Sequence, residues 1–288
     1  MNSFNPEYTV RKIREEMREY VTRSGLKSLV LGQSGGIDSA LVTVLAAPVC
    51  NALNIPLIGR FIHIETNKPD EGDRANAIGK AFCTDYKNLD LTPLYLATKQ
   101  AVEEAPLGSA LDTHTGGGTA AAPPAHDLSH RIRMGNIKAR LRMIYLYNLA
   151  QQHGGLVLST DNHTELLLGY WTLHGDVGDY APLAALWKTE VYELAKWIAR
   201  NELVFLEQQH ALQRCIDATP TDGLGTTNSD LDQLHAATYA EVDELLQRYC
   251  AGDRDKKLME HPVILRHLNS EYKRNNPYNV PRERIAEN

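Results

Sequence analysis

A turn rich in glycine and serine joins an apolar run to a helical pattern near the start of the chain. The turn and the first helical residues are Gly32, Gln33, Ser34, Gly35, Gly36, Ile37, Asp38 and Ser39. The backbone N–H groups at the start of a helix are unpaired, and the helix dipole favours negative charge there. Gly35 and Gly36 let the backbone approach a phosphate closely, while Ser34 and Ser39 add hydroxyl donors. The pattern therefore predicts a phosphate-binding site.

Asp38 is the residue in this turn that requires a metal ion. A carboxylate beside phosphate groups repels them unless a cation lies between the two. Mg²⁺ binds both carboxylate and phosphate oxygens, and so removes this repulsion. The turn lacks the Gly-Lys-Ser/Thr of the Walker loop and the glycine spacing of the dinucleotide fingerprint. The residues predict a magnesium–nucleotide site of another kind, and the alternative is an ordinary strand-to-helix turn with two glycines.

The elements that must position this turn are strands alternating with helices. Apolar segments predict buried strands over residues 29–31, 56–64, 87–91 and 155–161. An amphipathic helix precedes the first strand and ends at Gly25, a residue type that favours a helix C-cap. This alternation indicates an α/β fold, a doubly wound parallel sheet flanked by helices on both faces. Ligands of such sheets bind beyond the carboxyl ends of the strands, where residues 34–39 are predicted to lie.

Length and composition are those of an ordinary globular protein. A chain of 288 residues with 43% hydrophobic residues allows one large α/β domain or two small ones, and we predict a single domain over residues 1–288. The formal net charge of -6 argues against a nucleic-acid partner. The four cysteines form no C-x-x-C pair, which favours reduced thiols. Because no apolar run has membrane length and no signal-peptide pattern is present, we expect a cytoplasmic protein.

Two further segments carry polar residues that could contact a ligand. The polar face of the helix predicted over residues 131–153 consists of Asn136, Lys138, Arg140 and Arg142. Taken alone, this face indicates a charged, solvated surface. The strand predicted over residues 155–161 ends in polar residues where a ligand would lie, and Glu165 follows four residues after Asp161.

Residues 106–130 and 217–232 are predicted to form mobile loops. The first is rich in glycine, alanine and proline, and the second is rich in threonine, glycine and aspartate, so neither has much to bury. The first loop is either a disordered surface insertion or an active-site lid.

The phosphate turn resembles the Ser-Gly-Gly-x-Asp-Ser signature of the ATP pyrophosphatases, the PP-loop superfamily, which splits ATP between the α and β phosphates. Further blocks resemble those of the ammonia-dependent NAD synthetases and occur in that family's order. They are residues 135–143, residues 158–161 with Glu165, residues 175–179 with Pro182 and Leu183, and residues 186–188. Weaker matches follow at residues 220–222, 239–243 and 273–274. The resemblance covers nearly the whole chain and implies the family's α/β fold.

The resemblance implies a role for each matched residue. ATP would lie on Gly32, Gln33, Ser34, Gly35, Gly36, Ile37, Asp38 and Ser39, with Thr160, Lys188 and Thr221 completing the nucleotide site. Asp38 and Glu165 would hold Mg²⁺, and these two residues with Lys188 would form the catalytic set. Deamido-NAD would contact Asn136, Arg140, Asp179 and Lys273.

The resemblance also implies a reaction. The nicotinate carboxylate of deamido-NAD attacks the α-phosphate of ATP, which gives an acyl-adenylate and pyrophosphate. Ammonia then attacks the acyl carbon and releases AMP. Only about thirty residues precede the turn, too few for an amidase domain, so we expect free ammonia or ammonia delivered by a separate protein. The family resemblance further implies a homodimer.

Departures from the family pattern leave the acceptor open. Leu173, His63 and Tyr272 stand where the family usually has a lysine, an arginine and a histidine. The alternatives are therefore the same chemistry on nicotinate mononucleotide or on another carboxylate. A PP-loop RNA-modifying enzyme would share the turn but would typically bring a basic surface and paired cysteines. An inactive relative would have lost the carboxylates of Asp38 and Glu165, and both are present.

Overall fold

The computed structural model describes residues 4–65, 67–104, 128–219, 231 and 234–285. The strands are β1 (Leu29–Gly32), β2 (Leu57–His63), β3 (Asp85–Asp90) and β4 (Leu156–Val157). The helices up to β4 are α1 (Pro6–Ser24), α2 (Ile37–Leu53), α3 (Pro69–Phe82), α4 (Thr92–Glu104) and α5 (Leu128–Gln152). The later helices are α6 (His163–Leu168), α7 (Lys188–Asn201), α8 (Leu206–Ile216), α9 (Tyr239–Cys250), α10 (Lys256–Met259), α11 (Pro262–Asn269) and α12 (Glu271–Arg274), followed by a 3-10 turn at Arg282–Arg284. Within the described ranges, no helix has the length and apolar character needed to cross a membrane.

The four strands of the sheet, as far as the chain is described, lie in the order β3-β2-β1-β4. All the ladders are parallel, and Leu29 of β1 lies opposite both Leu57 of β2 and Leu156 of β4. The chain runs outward from β1 to β3 and then returns to place β4 on the other side of β1. The strand order therefore reverses between β1 and β4. In doubly wound sheets, ligands bind in the crevice at the carboxyl ends of the strands at such a reversal.

Helices cover both faces of the sheet. Leu29 and Leu31 point to one face, where they pack with residues of α1, α2, α3, α7 and α8. Val30 and Ile58 point to the other face, where they pack with α4 and α5. Successive side chains of a strand alternate between the two faces, so a strand buried on both sides is apolar throughout. The predicted doubly wound parallel sheet is confirmed.

Helix α2 lies at the centre of one covering layer. From Ile37 to Cys50 all its residues except Asp38 and Pro48 are buried, so almost the whole surface of this part of the helix is covered. A helix that is apolar all round must be enclosed, and α1, α3, α7 and α8 all contact α2. The first turn of α2, which follows the phosphate turn, is therefore fixed by the core.

Some predicted boundaries were wrong. Helix α5 begins at Leu128, so the last three residues of the loop predicted over 106–130 are helical. The ladder of β4 is shorter than the strand predicted over residues 155–161. The Leu158 N–H still donates to the carbonyl oxygen of Val30 in β1, but the Ser159 N–H donates to the carbonyl oxygen of Tyr180, with which this segment forms an isolated bridge. The remainder of the first predicted loop lies outside the described residues, as do residues 220–230 and 232 of the second.

The C-terminal helices form a separate apolar cluster beneath α6. Leu168 of α6 is buried with Val242 and Leu246 of α9 and with Val263 and Ile264 of α11. A helix as short as α6 is unstable in isolation, so its position depends on this packing. The cluster therefore fixes the element that carries Glu165.

Candidate active site

The turn after β1 is held against the start of α3. Gly35 has a φ of +80°, in the left-handed region that favours glycine. A Cβ atom at this position would collide with the backbone carbonyl of Glu71. The Nε of Arg74 donates a hydrogen bond to the carbonyl oxygen of Gly35 at 2.8 Å. The backbone of the turn is therefore fixed from outside, and position 35 has no room for a side chain.

The donors predicted to bind phosphate are grouped within this turn. The hydroxyl oxygens of Ser34 and Ser39 lie 3.0 Å apart. The Ser34 N–H donates to Ser39 Oγ at 3.3 Å, and the Gly36 N–H donates to Ser34 Oγ at 3.2 Å. Gly36 is the extended residue directly before α2, so the first N–H groups of that helix lie beside both hydroxyls. The result is a local concentration of donors at a positive helix end.

Gln33 and Ile37 contribute backbone rather than side chains to the turn. Gln33 is only 3% exposed, and its amide Nε2 donates to Thr43 Oγ1 inside the protein. Ile37 is 4% exposed and belongs to the core that surrounds α2. The predicted ATP contact of these two residues would therefore be made by their backbone. Gly32, the last residue of β1, is likewise placed to contribute backbone alone.

Two carboxylates and one lysine from distant parts of the chain meet beside the turn. Asp38 lies in the first turn of α2, Glu165 in the first turn of α6, and Lys188 is the first residue of α7. Lys188 Nζ donates to Asp38 Oδ2 at 2.5 Å and to Glu165 Oε1 at 2.9 Å. Lys188 is 3% exposed, and its Nζ lies 5.5 Å from the centre of the Tyr239 ring. The structure thus brings together the three residues predicted to form the catalytic set.

The protonation of this group follows from burial and neighbouring charge. Burial and the negative charge of Asp38 raise the pKa of Glu165 above its usual range, although Lys188 acts in the opposite direction. Burial disfavours the charged form of Lys188, but the two carboxylates outweigh burial and hold the pKa of Lys188 above its ordinary value. Lys188 is therefore a permanent cation at neutral pH.

The residues present fit a Mg²⁺ ion that is shared with phosphate. Asp38 and Glu165 both lie within hydrogen-bond distance of one atom, Lys188 Nζ, so the two carboxylates are close enough to share a cation. Each carboxylate has more lone pairs than its contact with Lys188 uses, so a Mg²⁺ ion would lie beside the ammonium group. In the described part of the chain, no three His, Cys, Asp or Glu side chains are grouped as a cage for a metal ion. Mg²⁺ at phosphate-transfer sites is bound by one or two carboxylates together with substrate phosphates, so a pair of carboxylates is sufficient.

Asp243 supports this group and was not among the predicted site residues. It lies on α9, is 2% exposed, and accepts a hydrogen bond from Thr164 Oγ1 at 2.6 Å. It also accepts from the N–H and hydroxyl of Thr189, at 2.9 Å and 2.8 Å. The backbone N–H of Lys188 donates to Thr164 Oγ1 at 2.9 Å. Asp243 therefore joins the starts of α6 and α7. In the sequence, a carboxylate directly after the apolar residue Val242 is the signal from which a buried Asp243 could have been predicted.

The segment after β4 provides a second buried carboxyl group. Thr160, predicted to contact ATP, is half-buried three residues after the end of β4. Asp161 is 9% exposed and accepts a hydrogen bond from Ser159 Oγ at 2.6 Å. Burial, together with the negative charges of neighbouring carboxylates, raises the pKa of Asp161 to about 8. Sequence reasoning used Asp161 only as part of a motif and missed its buried carboxyl.

Three residues predicted to bind the acceptor contact the segment that follows α6. Asn136 Oδ1 accepts from Thr172 Oγ1 at 2.8 Å, and Arg140 Nη2 donates to the carbonyl of Leu173 at 3.0 Å. Lys273 Nζ donates to the carbonyl oxygens of Gly169 and Trp171, at 2.7 Å and 2.5 Å. Residues 169–173 therefore gather these three side chains, although the residues come from α5 and α12.

The other two predicted contacts stand apart. Asp179 Oδ2 accepts from the backbone N–H of Val157 at 3.0 Å, so this carboxylate is attached to β4 rather than to residues 169–173. Thr221, predicted to complete the nucleotide site, lies outside the described residues.

The interpretation of the α5 polar face as a solvated surface was wrong for two of its residues. Lys138 is 6% exposed, and its Nζ lies 3.0 Å from a carboxylate oxygen of Glu65. Arg142 donates from Nε to the carbonyl of Ile62 at 3.1 Å and from Nη2 to Asn67 Oδ1 at 3.0 Å. Both cations therefore connect α5 to residues at and just after the end of β2. Their partners there offset the free-energy cost of burying a charged side chain.

Sequence comparison places the chain among known proteins. The family model of NAD synthase matches residues 9–277. An NH3-dependent NAD(+) synthetase of Methanopyrus kandleri is 34% identical over 83% of this chain and 76% of the relative. The protein of that name from Methanococcoides burtonii is 30% identical over 82% of this chain and 76% of the relative.

Solved structures share the fold. An NMN synthetase from Francisella tularensis superposes with a TM-score of 0.75 and 25% identity, covering 97% of this chain and 100% of that one. An NH3-dependent NAD synthetase from Campylobacter jejuni superposes with a TM-score of 0.67 and 22% identity, covering 96% of this chain and 100% of that one. With the family match over most of the sequence, the chain belongs to the NAD synthase family of ATP-binding ligases.

Proposed function

We propose that this protein joins ammonia to the nicotinate carboxylate of deamido-NAD, with ATP as the co-substrate and AMP and pyrophosphate as products. The observation that carries this proposal is the meeting of Asp38, Glu165 and Lys188 beside the turn that ends β1. ATP would bind on the turn, with its phosphates against the hydroxyls of Ser34 and Ser39 and the first N–H groups of α2. Two carboxylates and a lysine at that place suit a reaction in which phosphates must be held and their charge screened.

The chemistry requires activation of a carboxylate. A carboxylate is a poor acyl donor because its leaving group would be oxide, and adenylation replaces that oxide with a good leaving group. Two anions must approach each other in this step, so positive charge has to lie between them. Lys188, held as a cation by its two partners, supplies one such charge. Asp38 and Glu165 would hold Mg²⁺, which adds positive charge against the phosphates when bound.

The rest of the mechanism is positioning. The family reaction uses ammonia as the nucleophile, so no side chain has to form a covalent intermediate. Asn136, Arg140 and Lys273 are gathered by residues 169–173, and we propose that the acceptor binds on this side of the crevice. The family resemblance also supports a homodimer.

The test is a product analysis with purified protein, ATP, Mg²⁺, ammonium and deamido-NAD. We expect NAD, AMP and pyrophosphate in equal amounts, measured by liquid chromatography and a pyrophosphate assay. Omission of ammonium or of deamido-NAD should abolish NAD formation. Release of ADP and phosphate, or no product with any nicotinate acceptor, would contradict the proposal.

A second candidate acceptor is nicotinate mononucleotide. The similarity to the NMN synthetase of Francisella tularensis favours it, because that superposition has the higher TM-score of the two structures described above. Leu173, where the resemblance leads us to expect a cation, offers only its carbonyl oxygen to Arg140. The same assay with both acids decides between them, since the preferred acceptor has the larger kcat/KM. A clear preference for the mononucleotide would replace deamido-NAD in the proposal and leave the reaction type unchanged.

A further inference from the structure

Asn162 lies between the two carboxylates and bonds to both of them. It is 0% exposed and is the N-cap of α6, where its Oδ1 accepts a hydrogen bond from the Glu165 N–H at 3.0 Å. Its Nδ2 donates to Asp38 Oδ1 at 2.9 Å, and its backbone N–H donates to Glu165 Oε2 at 3.3 Å. One residue therefore engages one carboxylate oxygen of each side chain.

This pattern decides which oxygens face the catalytic lysine. Asp38 Oδ1 and Glu165 Oε2 are occupied by Asn162, and the remaining oxygens, Asp38 Oδ2 and Glu165 Oε1, both contact Lys188 Nζ. A carboxylate held by one oxygen cannot rotate freely about its terminal torsion, which is otherwise broad. The two carboxylates are thus turned toward a common point by hydrogen bonds from the same residue.

We infer that Asn162 is a positioning residue for the cation site, acting through Asp38 and Glu165. The inference rests on the proposed function, in which these two carboxylates hold Mg²⁺. Asparagine suits the position because one side chain carries both an acceptor for the helix cap and a donor for Asp38. Serine also caps helices, but its side chain ends in one oxygen atom, which cannot occupy the positions of both Oδ1 and Nδ2 of Asn162. Substitution of a residue that hydrogen-bonds to a metal ligand typically costs about 10- to 100-fold in metal affinity.

The experiment compares Asn162→Ser with a matched control, Asn5→Ser. Asn5 is the N-cap of α1, where its Oδ1 accepts from the Tyr8 N–H at 3.0 Å, so the control makes the same cap substitution on another helix. Binding of Mn²⁺, a probe for Mg²⁺, is measured by electron paramagnetic resonance with α,β-methylene-ATP, whose α–β bridge cannot be cleaved. Initial rates of pyrophosphate release are measured over a range of Mg²⁺ concentrations.

We expect Asn162→Ser to weaken Mn²⁺ binding by about 10- to 100-fold and to raise the half-saturating Mg²⁺ concentration by a similar factor. Excess Mg²⁺ should restore most of the kcat, and Asn5→Ser should behave as wild type in both measurements. Asn162→Thr, which also caps the helix, provides the same comparison if the serine variant does not fold.

Two outcomes would overturn the inference. One is unchanged Mn²⁺ affinity in the Asn162 variants, and the other is a loss of thermal stability and kcat that Mg²⁺ does not alter, which is the result of a helix cap alone. Failure of the proposed function is distinguishable, because wild-type protein would then bind Mn²⁺ with the ATP analogue but release no pyrophosphate. The Mn²⁺ comparison would still decide the role of Asn162.

Discussion

Glu165 and Glu190 occupy the same place in their helices, yet only one of them faces the phosphate turn. Each lies in the first helical turn and accepts a hydrogen bond from the backbone N–H of the N-cap residue, Asn162 or Trp187. Glu165 also accepts a hydrogen bond from Lys188 Nζ at 2.9 Å. A comparison of substitutions at these two positions therefore separates the effect of losing a helix-capping glutamate from the effect of losing a carboxylate in the site.

Glu165→Gln is expected to lower the rate of Mg²⁺-dependent pyrophosphate release by about 100-fold or more, because an amide cannot supply the negative charge that the metal requires. The backbone contact of the residue is kept, so the variant should still fold. Glu190→Gln is the matched control, and its rate should stay close to that of wild type. Near-normal turnover in Glu165→Gln, measured with a coupled pyrophosphate assay, would contradict the role given to this carboxylate.

Asp161 makes the stability of the fold depend on pH. Its pKa is raised to about 8 in the folded protein, so the folded chain keeps a proton that the unfolded chain has already lost above the usual aspartate pKa. The free energy of unfolding falls with rising pH wherever the folded state binds more protons than the unfolded state. The contribution of Asp161 to stability therefore declines as the pH rises toward 8. Asp161→Asn removes the titration, so its free energy of unfolding should improve relative to wild type between pH 5 and pH 8.

Urea unfolding at several pH values, without Mg²⁺, measures this difference. Asp85→Asn is the control, because Asp85 is bound by Arg60 at 2.8 Å and its pKa is lowered. A lowered pKa contributes stability that is lost only as the pH falls through the acid range, so the Asp85→Asn difference should be constant between pH 5 and pH 8. An Asp161→Asn difference that is equally constant would contradict a buried, protonated Asp161.

At the scale of elements, the contact between the phosphate turn and α3 is the most specific feature. Gly35→Ala would place a Cβ against the carbonyl of Glu71 at a residue whose φ is +80°. Left-handed backbone and overpacking together should cost about 3 kcal/mol of the free energy of unfolding. Displacement of the turn should also weaken ATP binding, which calorimetry with α,β-methylene-ATP measures.

Gly25→Ala is the matched control for this substitution. Gly25 has a φ of +66° at the end of α1, but a Cβ there meets nothing within 4 Å. Its cost should be about 1 kcal/mol from backbone strain alone, with unchanged ATP affinity. Equal destabilisation by the two alanine variants, or wild-type ATP affinity in Gly35→Ala, would contradict the contact with α3.

The strand β1 and the start of α2 could be predicted from the local sequence pattern. The apolar run at residues 29–31 and the glycine turn after it predict β1 and the start of α2, because burial on both sheet faces and a helix end are local requirements. The early end of β4 and the burial of Lys138 could not be predicted in this way. Both depend on partners elsewhere, Tyr180 for the strand and Glu65 for the lysine, which spacing along the chain does not contain.

At the scale of the whole molecule, the strand order brings the residues of the site close together. Asp38 and Glu165 follow β1 and β4, which are neighbours in the sheet although more than a hundred residues separate them. The resemblance to the family motifs predicted both residues as site residues, because each lies in one of the matched motifs. It did not name Asn162 or Asp243 as partners, since a hydrogen bond between elements depends on how the elements pack. The roles of the site residues stay predictions.

The most direct test of the account follows one oxygen atom. Deamido-NAD labelled with ¹⁸O in its nicotinate carboxylate is converted with ATP, Mg²⁺ and ammonium, and the AMP is analysed by mass spectrometry. If the carboxylate attacks the α-phosphate, AMP carries one ¹⁸O atom per turnover when the acceptor is fully labelled. AMP without the label, formed together with NAD, would contradict an acyl-adenylate at the site built by Asp38, Glu165 and Lys188.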